Sequence, residues 1–162
     1  MTVYNAPITE MEFLIKDVFD LETITALPGY EEATPDMVDA ILEEAGKLGR
    51  DVIAPLARTS DVENPVWKDN TVTTAPGFKE AYAQFVEGGW QGIGCDPEFG
   101  GMGLPFVLSN AVSEIWNSSS IAFGLCPMLT GGAIDAIESH ASEEQKAIFL
   151  EKMTSGEWSG TM

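Results

Sequence analysis

The sequence predicts an all-α domain, and three observations carry that expectation. Apolar residues recur at three- and four-residue intervals along most of the chain, Pro and Gly pairs punctuate those stretches, and a single short alternation, Thr71-Val72-Thr73, has a strand's pattern. Hydrophobic residues make up 44% and charged residues 21% of 162, the composition of a chain that can bury one core.

The elements follow in order. Thr9 and Glu12 have the spacing of a capping box, and Met11, Leu14, Ile15 and Val18 continue at helical intervals. Pro28-Gly29 then breaks the pattern. Thr34-Pro35 opens a second helix, with Thr as N-cap and Pro at the first helical position, and Val38, Ile41, Leu42, Ala45, Leu48 and Val52 line one face. Pro55 is expected to end it. Residues 57–75 are polar, with Thr71-Val72-Thr73 as an edge strand. A third helix begins at Pro76-Gly77, shows Phe78, Ala81, Tyr82, Phe85 and Val86 on one face, and stops at Gly88-Gly89. Phe106 to Trp116 reads as a buried helix, Ser118-Ser119-Ser120 interrupts it, and Ile121 to Ile137 is apolar again around Pro127 and Gly131-Gly132. Ser142 and Gln145 form another capping box, Ile148, Phe149 and Met153 form a stripe, and Gly156 stops the last helix.

Charge excludes some functions. Eight Lys and Arg face 26 Asp and Glu, a formal charge of −18, so the clustered cations that bind nucleic-acid phosphates or an anionic membrane are missing. No apolar run approaches the roughly 20 residues that span a bilayer. Cys95 and Cys126 stand far apart, which suits reduced core thiols in a cytoplasmic protein better than a disulfide or a metal site.

The residues that could carry chemistry are few. Pro97-Glu98-Phe99-Gly100-Gly101-Met102-Gly103 suggests a phosphate cradle, but no Lys lies between Lys79 and Lys146, and Phe106 stands where a dinucleotide fingerprint needs its third glycine. A tight turn that lets helices approach is the plainer reading, with close approach by a ligand or another domain left open. His140, the one histidine, falls at a helix end where a cation suits the helix dipole. Glu98, Glu114 and Glu138 read as surface charge. Trp90, Trp116 and Trp158 read as core anchors, and Met128 and Met153 as core filler. No self-sufficient active site emerges from these residues.

The order of four pieces adds a resemblance. Gly89-Trp90, the glycine turn from Pro97 to Leu104, Ser142-Glu143-Glu144-Gln145-Lys146 and Ser155-Gly156-Glu157 together look like the N-terminal helical half of the acyl-CoA dehydrogenase family, over residues 35–162. Residues 1–34, with Tyr4-Asn5-Ala6-Pro7-Ile8 followed by Met11, Phe13 and Leu14, are similar to the short N-terminal extension of the longer bacterial members. Some of these act on fatty acyl-CoAs and a branch acts on 3-methylmercaptopropionyl-CoA, and the resemblance does not choose between them.

The resemblance implies a helical bundle that is one part of an α/β/α flavoenzyme of three domains. Such an enzyme takes hydrogen from Cα and Cβ of an acyl-CoA thioester to give the trans-2-enoyl-CoA, using FAD. It also implies a homo-oligomer and an electron-transferring flavoprotein as partner. Met128, Leu129 and Gly132 are expected on the helix that lines the acyl pocket, and Met162 at the flavin edge. A complete member continues past Met162 into a T-E-P-x-x-G-S-D segment, a β-domain that holds FAD and a C-terminal helical domain, and the catalytic glutamate belongs to that part. Residues 1–162 alone are therefore expected to fold but to be colourless and inactive. The alternative is a non-catalytic interaction module of the same fold.

Overall fold

A computed structural model describes residues 4–161. Regular structure among them comprises eight α-helices and one two-stranded hairpin.

The N-terminal segment lies across the bundle as α1 (Ile8–Phe13), a π-helical turn (Leu14–Val18) and α2 (Leu21–Thr25). Met11, Ile15 and Leu21 are buried against the main core, and Lys16 pairs with Asp39 on the next helix. The expected Thr9–Glu12 capping box does not form. Pro7 is the N-cap, so Thr9 already sits inside the first turn, and no side chain caps that end. Asp20 takes the capping role one helix later, accepting from the Thr23 amide and from the Thr23 hydroxyl at 2.6 Å.

Helix α3 (Pro35–Leu48) starts as the sequence predicts, with the Thr34 hydroxyl accepting from the Met37 amide at 3.3 Å. Val38, Leu42 and Ala45 on its inner face are fully buried. Pro55 does not end this run. A π-helical turn (Gly49–Ile53) leads into α4 (Ala54–Val62), where Pro55 occupies the first turn. The strand expected at Thr71–Thr73 (β2) pairs antiparallel with β1 (Val66–Lys68), Trp67 opposite Val72. Asp69 and Asn70 both have positive φ, as a two-residue primed turn requires.

Helix α5 (Phe78–Glu87) buries Ala81 and Phe85 and ends at Gly88-Gly89. Single 3-10 turns at Trp90–Gly92 and Pro97–Phe99 bracket the loop that follows. Helices α6 (Phe106–Ser119) and α7 (Ile121–His140) are split by Ser120, whose extended backbone breaks the helical path. The Phe85 ring meets Trp116 and Phe123 edge-on at 5.8 and 5.7 Å, and Trp90 meets Trp116 at 5.3 Å, which ties α5, α6 and α7 together.

Helix α8 (Glu143–Thr154) begins with the expected Ser142–Gln145 capping box, worth about 1 kcal/mol. Its buried stripe differs from the one expected: Leu150, Met153 and Thr154 face inward, while Ile148 and Phe149 stand 50% and 38% exposed. Trp158 is also outside the core, lying under the Lys152 ammonium, which is 4.6 Å from its ring centre. Nor are the two thiols core residues in equal measure, since Cys95 is half-buried and Cys126 exposed.

The apolar stretch that ends at His140 is longer than the sequence reading allowed. At 20 residues, with an 18-residue stretch of mean hydropathy 1.3, α7 has the length and composition of a membrane-crossing helix. Pro127, Asp135 and Glu138 interrupt it, and it packs against both α6 and α8.

Candidate functional site

The glycine turn is the first place to test for ligand chemistry. All five amides from Gly100 to Leu104 are already used: they donate to the carbonyls of Pro97, Asp96, Gly92, Cys95 and Ile93 at 2.8–3.1 Å. A Cβ on Gly101 would come 2.0 Å from the Cys95 carbonyl oxygen. The turn is thus a clasp that locks residues 92–104 together, and no N–H remains for an anion. A flavin pyrophosphate therefore finds no cradle at this turn.

A groove offers more. Helices α6 and α7 form its walls, Gln91, Ile93 and Cys95 lie along its base, and it holds about 260 Å³. Pro127 shapes the α7 wall. Its ring removes one helical N–H, and the Gln91 side-chain amide donates to the Pro127 carbonyl at 3.4 Å. Near the Ser120 break the two walls almost touch, because a Cβ on Gly124 would come 2.3 Å from the Asn117 side-chain oxygen. Farther along α7, Gly131 and Gly132 face open space, with nothing within 4 Å of a Cβ placed on either.

Electrostatics vary along the groove. Burial, reinforced by the Asp135 carboxylate, pushes the Glu138 carboxyl up from its ordinary range. Burial likewise raises the Cys95 thiol, which keeps it protonated and a poor nucleophile. Glu138 is therefore half-buried groove lining rather than plain surface charge, whereas Glu98 and Glu114 are exposed as expected. The lone histidine, His140, is an exposed last residue of α7.

The residues singled out from sequence divide across this geometry. Met128 and Gly132 line the groove, Met128 with half its surface free. Leu129 does not. One residue is a turn of 100° about the helix, and Leu129 sits on the side covered by the C-terminal segment, its carbonyl 3.2 Å from where a Gly160 Cβ would stand. That segment is held by the Gly160 amide, which donates to the Thr130 hydroxyl at 3.1 Å. Met162 lies outside the described residues. Sequence reasoning missed the opposite wall, where Phe106, Asn110, Ser113 and Asn117 project into the groove from α6. Their spacing of four, three and four residues was a legible signal, since it marks one face of a helix.

Comparison with known proteins places the chain. Residues 35–157 match the family described as acyl-CoA dehydrogenase, N-terminal domain. Over 159 residues the chain is 43% identical to the 3-methylmercaptopropionyl-CoA dehydrogenase of Ruegeria pomeroyi, covering 98% of this chain and 27% of that protein. It is 32% identical over 169 residues to a butyryl-CoA dehydrogenase of Syntrophomonas wolfei, again covering 98% and 27%. A broad-specificity linear acyl-CoA dehydrogenase of Mycobacterium tuberculosis is 24% identical over 169 residues, covering the whole chain and 26% of the relative. The chain thus spans about a quarter of the length of these relatives. By its helical architecture and this match, the chain belongs to the acyl-CoA dehydrogenase family as its N-terminal domain.

Proposed function

We propose that this chain is the N-terminal part of an FAD-dependent acyl-CoA dehydrogenase, converting an acyl-CoA thioester to the trans-2-enoyl-CoA. The observation that carries the proposal is the family match over residues 35–157, which holds across relatives named for three different acyl-CoA activities. The groove between α6 and α7 gives the domain its role. Met128 and the Gly131-Gly132 step leave a concave wall on which an acyl tail can lie. The flavin supplies the hydride acceptor when bound, and both it and the proton-abstracting carboxylate are assigned to chain that follows Met162. The residues described here then act by holding and orienting the acyl chain rather than by moving a proton. Electron-transferring flavoprotein as acceptor, a homo-oligomeric assembly and a cytoplasmic setting belong to the same proposal.

The test is anaerobic titration of the full-length protein with a panel of acyl-CoAs. Bleaching of the oxidised flavin absorption by at least one of them is the expected result. A flavin-loaded protein whose spectrum no acyl-CoA changes would refute the assignment.

A further inference from the structure

The α6 wall of the groove mixes the apolar side chains of Phe106, Val112 and Trp116 with a polar row. That row runs Asn110, Ser113, Asn117, an amide, a hydroxyl and a second amide on one helix face. Asn117 is committed, since its Nδ2 donates to the Ser113 carbonyl at 2.9 Å and to the Ser113 hydroxyl at 3.4 Å. That bond holds the Asn117 amide in place and leaves its oxygen buried without a donor among the described residues. Asn110, one turn away, is exposed and makes no side-chain hydrogen bond among the described residues, so both ends of its amide are free to turn into the groove. Covering that polar row with hydrocarbon would strip water from its groups and return no hydrogen bond, which is unfavourable. Across the groove, the bare Gly131-Gly132 step leaves room for a tail to lie against that wall.

We infer that Asn110, on the stripe with Ser113 and Asn117, sets acyl specificity by donating a hydrogen bond to a heteroatom in the acyl tail, favouring a thioether or ether tail over a hydrocarbon of equal length. The inference rests on the acyl-CoA dehydrogenase reading above. The experiment measures kcat/KM of the FAD-loaded, full-length protein for 3-methylmercaptopropionyl-CoA, 3-methoxypropionyl-CoA and pentanoyl-CoA, three substrates of one chain length. Wild type should prefer the two heteroatom tails, and Asn110→Leu should lower the methoxy-to-hydrocarbon ratio about tenfold, the order expected when a hydrogen bond of about 1.4 kcal/mol is lost, and the thioether-to-hydrocarbon ratio by less, sulfur being the weaker acceptor. Asn110→Ala, which only shortens an exposed side chain, reads the same ratio should the leucine variant not fold. A general structural effect would slow all three substrates together and leave the ratio where it was. A ratio unchanged in both variants, or a wild-type preference for pentanoyl-CoA, overturns the inference while the dehydrogenase reading stands. Failure of every acyl-CoA to bleach the flavin overturns both.

Discussion

Two glycine clusters in this domain look alike in sequence and differ in every physical respect. At Gly100–Gly103 each amide is bonded, Gly100 and Gly103 take positive φ, and Gly101 has no room for a single methyl group. At Gly131-Gly132 the backbone is helical and open, with no atom near either Cα on the side where a Cβ would point. The first cluster is glycine because the fold leaves no alternative. The second has no such reason, and glycine inside a helix costs about 1 kcal/mol relative to alanine. The contrast teaches that the turn belongs to stability, while the helical pair has no packing reason among the described residues, which is what the acyl-tail proposal addresses.

The largest effect that could break this contrast is at the turn. Gly101→Ala should destabilise the domain by about 3 kcal/mol or more, because a Cβ 2.0 Å from the Cys95 carbonyl must push the clasp apart. Denaturant unfolding measures it, and a loss below about 1 kcal/mol would mean that the clasp yields easily. The opposite sign is expected in the groove. Gly131→Ala should stabilise the domain by about 1 kcal/mol, since its Cβ meets nothing and helix propensity improves. Destabilisation there would show that the α7 glycines are structural after all.

A smaller effect concerns pH. With its folded-state carboxyl raised by burial and by Asp135, Glu138 holds its proton more tightly in the folded than in the unfolded chain. Stability is then lost as pH climbs from the ordinary glutamate range through the raised folded value. Glu138→Gln should therefore be more stable than wild type at neutral pH and show no advantage in acid below the ordinary glutamate range. Unfolding curves at the two pH values check this, and a gain of equal size at both would remove Glu138 titration as the cause.

Much of the fold was legible because its signals are local. Thr34-Pro35, Ser142 with Gln145 and Gly88-Gly89 act within one turn of the chain, and all mark helix ends in the structure. Pro55 misled because proline is tolerated in a helix's first turn as well as after its last, and the π-helical turn that makes it a first turn has no strong sequence mark. The α8 stripe was misjudged because which face turns inward depends on Ile134, packed beside Leu150 and Met153 from another helix. The candidate site was half legible for the same reason. Met128 and Gly132 share a helical face that sequence could identify, but placing Leu129 required the C-terminal segment that lies over it. The polar stripe of α6 could be read as a stripe. That it faces Gly131-Gly132 across a groove could not.

The central claim is that the open α7 glycines make room for an acyl tail. Its most direct test is the chain-length profile of kcat/KM for the full-length, FAD-loaded protein and its Gly132→Phe variant. A phenyl group at this position fills the groove beside Met128, so the optimum should move to shorter acyl chains while the helical circular dichroism signal is kept. A correctly folded variant whose profile matches wild type at every chain length would contradict the account.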